Sequence, residues 1–254
     1  AAVIFDDGNV YRVNVNTGAT TNLGTTGLRN PVDIYAHLSG YYFLTSDAVY
    51  SYSFTNGALS PSTVSLLFSH SISRAQGMTF DPLLSQVIIA GGNETFFYNL
   101  NGTVANDVQD LEDTGEVFNS TGGITPEYPS TNTTIKKLYA TSTTSTPTYN
   151  LTTILPYGST STQADLNAQH TVFSQTMSDS SNILPKKVPV YAISNKYKAN
   201  TDVQKLYIFW TEKPGATSPS VVSTLDHTTG IAGSSTFLTP QPKSFITGAS
   251  FEQE

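Results

Sequence analysis

The 254-residue chain has 12% charged residues, 12 Lys and Arg against 19 Asp and Glu, and a formal net charge of −7. That charged share is about half the average for soluble domains. Lys136-Lys137 and Lys186-Lys187 are isolated pairs rather than a basic stripe, so counterion release has little to act on and no nucleic-acid partner is expected. The absence of cysteine excludes a disulfide framework, a thiolate zinc site and a Cys nucleophile. No run approaches the ~18 apolar residues of a membrane-spanning helix. Polarity comes from Ser, Thr, Gly and Asn, a balance that suits a secreted or cell-surface protein. The small residues Ala1-Ala2 fit the mature end left by signal cleavage.

Helical periodicity is nearly absent. Short runs of Val, Ile, Tyr, Phe and Thr alternate with turn residues, which predicts an all-β chain. Residues 3–18 set the pattern. Val3-Ile4-Phe5 is a strand, Asp6-Asp7-Gly8-Asn9 a hairpin turn, and 10–15 a strand with Tyr11, Val13 and Val15 on one face. Asn16-Thr17-Gly18 turns again, because Asp-Gly and Asn-Gly sequences tolerate positive φ. Residues 41–57 repeat this with a turn at Ser46-Asp47, a strand over 49–54 and Asn56-Gly57. Residues 86–102 repeat it with turns at Gly91-Gly92-Asn93 and Asn101-Gly102. Looser copies run from 137–141 into 148–155, and from 205–210 through Pro214-Gly215 into 221–226.

A short strand precedes each later copy, at 33–36, 77–80, 123–125 and 190–194. Copies spaced by about 40 to 70 residues match propeller blades with insertions. The end of the chain, from Ile246 to Glu254, reads as the first strand of a blade with no continuation, and the beginning starts at the second strand. Joined, they complete one blade and close a ring without free edges. The predicted fold is a single β-propeller domain over 1–254 with about five blades, or six if 105–185 holds another, with an irregular sandwich as the alternative. The stretch 105–185, rich in Ser, Thr and Asn and nearly all hydroxylic or Pro over 141–148, is expected to form long inter-strand loops.

The segment Gly77-Met78-Thr79-Phe80-Asp81-Pro82, followed by Gln86-Val87-Ile88-Ile89-Ala90-Gly91-Gly92, resembles a blade of the gluconolactonase-like propellers. More narrowly, it resembles the secreted fungal propellers of the Malassezia cell-wall allergen type and their trichothecene-cluster relatives. The resemblance covers about one blade, and only strand rhythm is shared elsewhere. It implies a secreted or cell-wall fungal propeller with a central cavity for a small or lipid-like ligand, and it transfers no functional residue. Tyr191-Ala192-Ile193-Ser194 with Lys205-Leu206-Tyr207-Ile208-Phe209-Trp210 is similar in rhythm to a blade of fungal fucose-binding propeller lectins. Those lectins repeat a Trp-lined pocket with an Arg and a Glu. This chain has one Trp, and Arg12, Arg29 and Arg74 all fall in its first third.

Four chemistries compete. A propeller glycosidase needs paired carboxylates from different blades, for which Asp33, Asp81, Glu127 and Glu252 are candidates. Asp81, before Pro82, and Glu127, between Pro126 and Tyr128, read as turn residues. Asp33 and Glu252 fall on or beside inner strands. A lactonase-like metal site would need inward ligands, chiefly oxygens, to which Asp33 and His37 of one blade could contribute. The inner strands otherwise carry Ile, Met, Thr, Ala and Tyr, so no metal or cofactor is expected. No nucleophile elbow or His-Glu-x-x-His motif is present. Glycan or small-molecule binding is better supported by 14 Tyr and 13 Phe, since aromatic faces stack on sugar C–H surfaces. Tyr41, Tyr128, Tyr157, Tyr197 and Trp210 are the ligand-binding candidates. Asn93, Asn101, Asn119, Asn132 and Asn150 begin Asn-x-Ser/Thr sequences and are the glycosylation candidates. The expected function is a secreted binding protein without chemistry, holding a small or lipid-like molecule or a glycan. A structural or adhesive cell-wall protein is the alternative, and a propeller hydrolase the third reading.

Overall fold

The computed structural model describes residues 1–81, 85–91, 94–110, 120–127, 137–145, 148–155, 171–176, 178–179, 188–194, 206–211, 220–225, 231–234, 236–240 and 244–252. The chain opens with β1 (Ala2–Phe5), β2 (Asn9–Val13) and β3 (Thr20–Thr25). Next come β4 (Asp33–His37), β5 (Gly40–Leu44), β6 (Ala48–Ser53) and β7 (Ser65–Ser69), then β8 (Ala75–Asp81), β9 (Gln86–Gly91), β10 (Glu94–Asn99) and β11 (Val104–Asp110). The second half holds β12 (Ser120–Glu127), β13 (Lys137–Ser145), β14 (Thr148–Leu155), β15 (Thr171–Thr176), β16 (Ser178–Asp179), β17 (Val188–Ser194), β18 (Leu206–Thr211), β19 (Val221–Leu225), β20 (Ile231–Ala232), β21 (Thr236–Phe237) and β22 (Ile246–Ser250).

Among the described residues, the orders β22-β1-β2-β3, β4-β5-β6-β7, β8 to β11 and β12 to β15 make four-stranded sheets. A six-stranded sheet contains β16 to β21. Consecutive strands pair antiparallel throughout the four-stranded sheets, as in Asp33↔Leu44 and Tyr41↔Tyr52. One edge strand of each sheet meets the next: β22 lies beside β4, β4 beside β8, β8 beside β12, β12 beside β17, and β17 beside β22. Up-and-down sheets arranged with their first strands inward define a β-propeller. No helix among the described residues is long and apolar enough to cross a membrane.

Sheets in this arrangement are covered on both faces, which explains a departure from the alternating pattern. Ala2, Val3, Ile4 and Phe5 are all buried, and so are Val87, Ile88, Ile89 and Ala90. On β2 both Val10 and Val13 are buried, and they join different apolar layers. Each layer is an inter-sheet interface. Ile4, Val10, Ile34, Tyr41 and Phe43 fill the gap between the β1 and β4 sheets. Tyr35, Leu44, Met78, Val87 and Ile89 fill the next.

Three expectations are corrected. The stretch 105–185 contains strands β12 to β15, and Thr141 to Ser145 continue β13 rather than forming a loop. Thr is β-branched and suits a pleated strand despite its polarity. Glu127 ends β12 opposite Lys137, and Asp81 ends β8 opposite Gln86, so both belong to strands. Gly91 also lies in a strand. It ends β9 opposite Glu94, flanking the expected turn, and a Cβ there would stand 2.4 Å from Ile72 Cγ2, so close packing favours the glycine as well.

Candidate functional site

The inner strands run in the same direction. Asp33 is level with Met78 and Tyr35 with Phe80, while Gly248 is level with Asp33 and Ser250 with Ala36. At their amino-terminal side sits Asp33, 1% exposed. Its Oδ1 accepts from the Ile34 N–H and its Oδ2 from the Met78 N–H, each at 2.7 Å. Burial raises its carboxyl well above the ordinary value, against the backbone N–H groups of Met78, Ile34 and Ala249, which favour the charged form. One side chain thus joins β4 to β8 and β22. Gly248 permits this approach, since a Cβ there would lie 2.6 Å from Asp33 Cα and 2.6 Å from its Oδ1. Farther along, the Ala36 N–H donates to Ser250 Oγ at 3.0 Å.

The carboxyl-terminal side of the inner strands carries two polar and aromatic groupings. Between the β1 and β4 sheets, Arg12 Nε and Nη2 donate to the two oxygens of Glu252 at 2.7 and 2.9 Å. Tyr41 donates its hydroxyl to Glu252 Oε1 at 2.5 Å. Burial alone would push Glu252 up, but the Arg12 and Tyr41 hydrogen bonds prevail and hold it below the usual carboxylate range. Burial, then the bond to Glu252, raises the Tyr41 phenol well above its ordinary value.

Between the β4 and β8 sheets lies an aromatic shelf. His37, the last residue of β4, stacks on Tyr42 of β5 with centroids 4.5 Å apart and an interplanar angle of 28°. Tyr42 meets Phe80 of β8 at 5.8 Å, and Phe80 meets buried Tyr35 at 6.0 Å. His37, Tyr42 and Phe80 are each half-buried, and neighbouring Leu38 is 71% exposed. The His37 Nδ1 faces the Ser39 N–H at 3.3 Å and the Ser39 Oγ at 3.2 Å. Its Nε2 is buried and has no hydrogen-bond partner among the described residues. Burial lowers the His37 imidazole and raises the Tyr42 phenol, so both are neutral at neutral pH. The result is an apolar platform with polar tips, the composition of a small-ligand site.

Sequence reasoning weighed His37 as a metal ligand and named Tyr41, the chain neighbour of Tyr42, as a ligand-binding candidate. Phe80, which meets Tyr42 in space, gave no signal beyond an inner-strand apolar position. Tyr41 lies in β5 with its ring in the core, 2% exposed, and only its hydroxyl reaches Glu252. Trp210 lies in β18 opposite Pro189 and Val221. Tyr128, Tyr157 and Tyr197 lie outside the described residues, as do Asn93, Asn119 and Asn132. Asn101 is exposed in the turn between β10 and β11, and Asn150 is in β14, paired with β13 and β15. Asp33 and His37 share a strand but not a site, being at its opposite ends. No group of three or more His, Asp or Glu side chains suited to a metal occurs among the described residues.

No protein-family description matches the chain, and no curated protein matches it by sequence. Among solved structures it is similar to a chain of the nidogen/laminin complex, with 13% identity over 99% of this chain and 86% of that one, at a TM-score of 0.50. It is also similar to a Trichoderma reesei carbohydrate-active enzyme of family AA12, with 11% identity, coverages of 97% and 82%, and a TM-score of 0.42. For the β-propeller domain of Myceliophteria thermophila Cps50 (Swd1) the identity is 10%, the coverages 85% and 56%, and the TM-score 0.39. Identities this low speak for architecture alone, and that architecture is a β-propeller.

Proposed function

We propose that the protein is a glycan-binding propeller without catalytic chemistry, exported to the cell surface or its surroundings. The observation that carries this reading is the shelf of His37, Tyr42 and Phe80. A sugar ring can lay its C–H face on these half-buried aromatic rings, and a Tyr such as Tyr42 carries a hydroxyl able to hydrogen-bond a sugar hydroxyl beside its ring. The shelf sits where the inner strands β4 and β8 end.

Two of the candidate carboxylates, Asp33 of β4 and Glu252 just after β22, favour binding over hydrolysis. A glycosidase needs an acid and a base or nucleophile free to act. Asp33 is enclosed by backbone donors, and Glu252 is held by Arg12 and Tyr41. Five blades, with the β1–β22 pairing as the closing contact, is the ring count adopted in this reading. Export accords with the low charge and with the resemblance to secreted fungal propellers.

Native mass spectrometry of protein purified from its own source tests the reading. A carbohydrate adduct that persists under gentle conditions and leaves on denaturation supports it. A lipid-like adduct would replace the glycan by an apolar ligand, and a bare chain in defined multimers would favour a structural role at the cell surface.

A further inference from the structure

We propose that Asn101 is an N-glycan acceptor, the sequence Asn101-Gly102-Thr103 being presented for modification by the β10–β11 turn. Three observations place it. First, Asn101 is exposed at a turn closed by the Gly102 N–H to Asn99 C=O bond at 2.8 Å and the Asn99 N–H to Thr103 C=O bond at 2.9 Å. Gly102, at φ 82°, lets the turn close where any side chain would strike Phe68, whose Cβ would be 2.6 Å away.

Second, the side chains of the acceptor sequence are already joined. Thr103 Oγ1 donates to Asn101 Oδ1 at 2.7 Å, and the Thr103 N–H donates to the same oxygen at 3.1 Å. Asn99 Nδ2 in turn donates to Thr103 Oγ1 at 3.0 Å. Both bonds engage the amide oxygen, and nothing among the described residues accepts from Asn101 Nδ2. The nitrogen that would carry a sugar is therefore the free end of the side chain.

Third, the setting tolerates bulk. A glycan on Asn101 projects from the end of a hairpin without entering a ladder, whereas Asn150 lies in a strand paired on both edges. Transfer requires a lipid-diphosphate-linked oligosaccharide and its transferase, encountered during export. The Asn101 Nδ2–C1 bond forms and the C1–O bond to the diphosphate breaks. The lipid diphosphate leaves with the electron pair, and Nδ2 releases one proton to the transferase's base.

The experiment secretes the full chain, behind a signal sequence, from a eukaryotic host. The wild type is compared with Asn101→Gln, Thr103→Ala and Thr103→Ser. A glycosidase that converts the modified Asn to Asp is applied in heavy-oxygen water, and chymotryptic peptides are sequenced by mass. The expected result is heavy Asp at position 101 in the wild type and in Thr103→Ser, and its loss in the other two variants. Translation into microsomes gives a second readout that does not depend on folding: a glycosidase-sensitive mobility step in a chain whose other four candidate asparagines are Gln. An unmodified Asn101 in the secreted wild type, or no mobility step in that chain, would overturn the proposal.

Discussion

Arg12 and Glu252, 240 positions apart, meet in a two-pronged ion pair beneath the Tyr41 hydroxyl. Arg12 belongs to β2, Glu252 follows β22 and Tyr41 belongs to β5, so the contact ties both ends of the chain to the neighbouring sheet. The Arg12 side chain is largely exposed, which limits the Coulombic gain to about 1 kcal/mol. Glu252→Gln is expected to lower the melting temperature by about 2–4 °C for a domain of this size. Because Glu252 is held below its ordinary value, its contribution is full above the unfolded carboxylate pKa of about 4.3. It is lost as pH falls through the folded value. Circular dichroism melts of wild type and Glu252→Gln from neutral to acid pH should therefore converge as acidity increases, and a constant gap would contradict the pairing.

Asp33 makes a different prediction, because it satisfies backbone groups in a dry interior. Asp33→Ala removes the acceptor for the buried Met78 and Ile34 N–H groups, at a cost of about 1–3 kcal/mol for each group left unsatisfied. Asp33→Asn keeps the size and one acceptor oxygen, so its loss should be smaller. Urea titration with equilibrium checks in both directions measures both. Equal stabilities for wild type and Asp33→Ala would mean that the inner strands are not held this way.

Gly248→Ala probes the same junction from the other strand. A methyl group 2.6 Å from the Asp33 backbone and carboxylate cannot be accommodated without moving β22 away from β4. Overpacking of this kind costs about 1–3 kcal/mol. Urea denaturation should show a lowered midpoint, and hydrogen exchange should rise at Ala36, whose N–H depends on Ser250. Unchanged exchange at Ala36 would argue against the close approach.

His37 and His70 give an acid-side dependence with the opposite proton logic to that of a salt-bridged His. Burial lowers both, for His70 against the Thr45 backbone and the Asp47 charge. The unfolded chain therefore takes up protons first. Stability falls as pH drops below the unfolded histidine value of about 6.5 and levels off below the folded values. His37→Gln combined with His70→Gln should flatten the curve in that window, as read by denaturation midpoints, and an unchanged slope would assign the dependence elsewhere.

Much of this architecture was legible because turns punctuate it. Gly8, Gly57 and Gly102 have positive φ where Asp-Gly or Asn-Gly sequences predicted turns, and β6, β9, β18 and β22 lie where apolar runs placed them. Composition misled over 105–185, because a Thr-rich run reads as loop when hydroxyl content is weighed above β-branching. The candidate site was less legible. Its residues come from β4, β5 and β8, and only the parallel course of two inner strands brings Phe80 to Tyr42. Asp33 was visible as an inner-strand acid, yet its three backbone donors depend on a glycine 215 positions away in sequence (33 to 248).

The most direct test of the account is glycan-array binding by labelled wild-type protein beside His37→Gln and Tyr42→Ala, each first shown to be folded by circular dichroism. Loss of a stacked ring costs about 0.5–1.5 kcal/mol, so Tyr42→Ala should weaken binding by up to about tenfold. His37→Gln should weaken the same glycans. No glycan bound above background by the wild type, or identical profiles for all three proteins, would contradict a sugar site on this shelf.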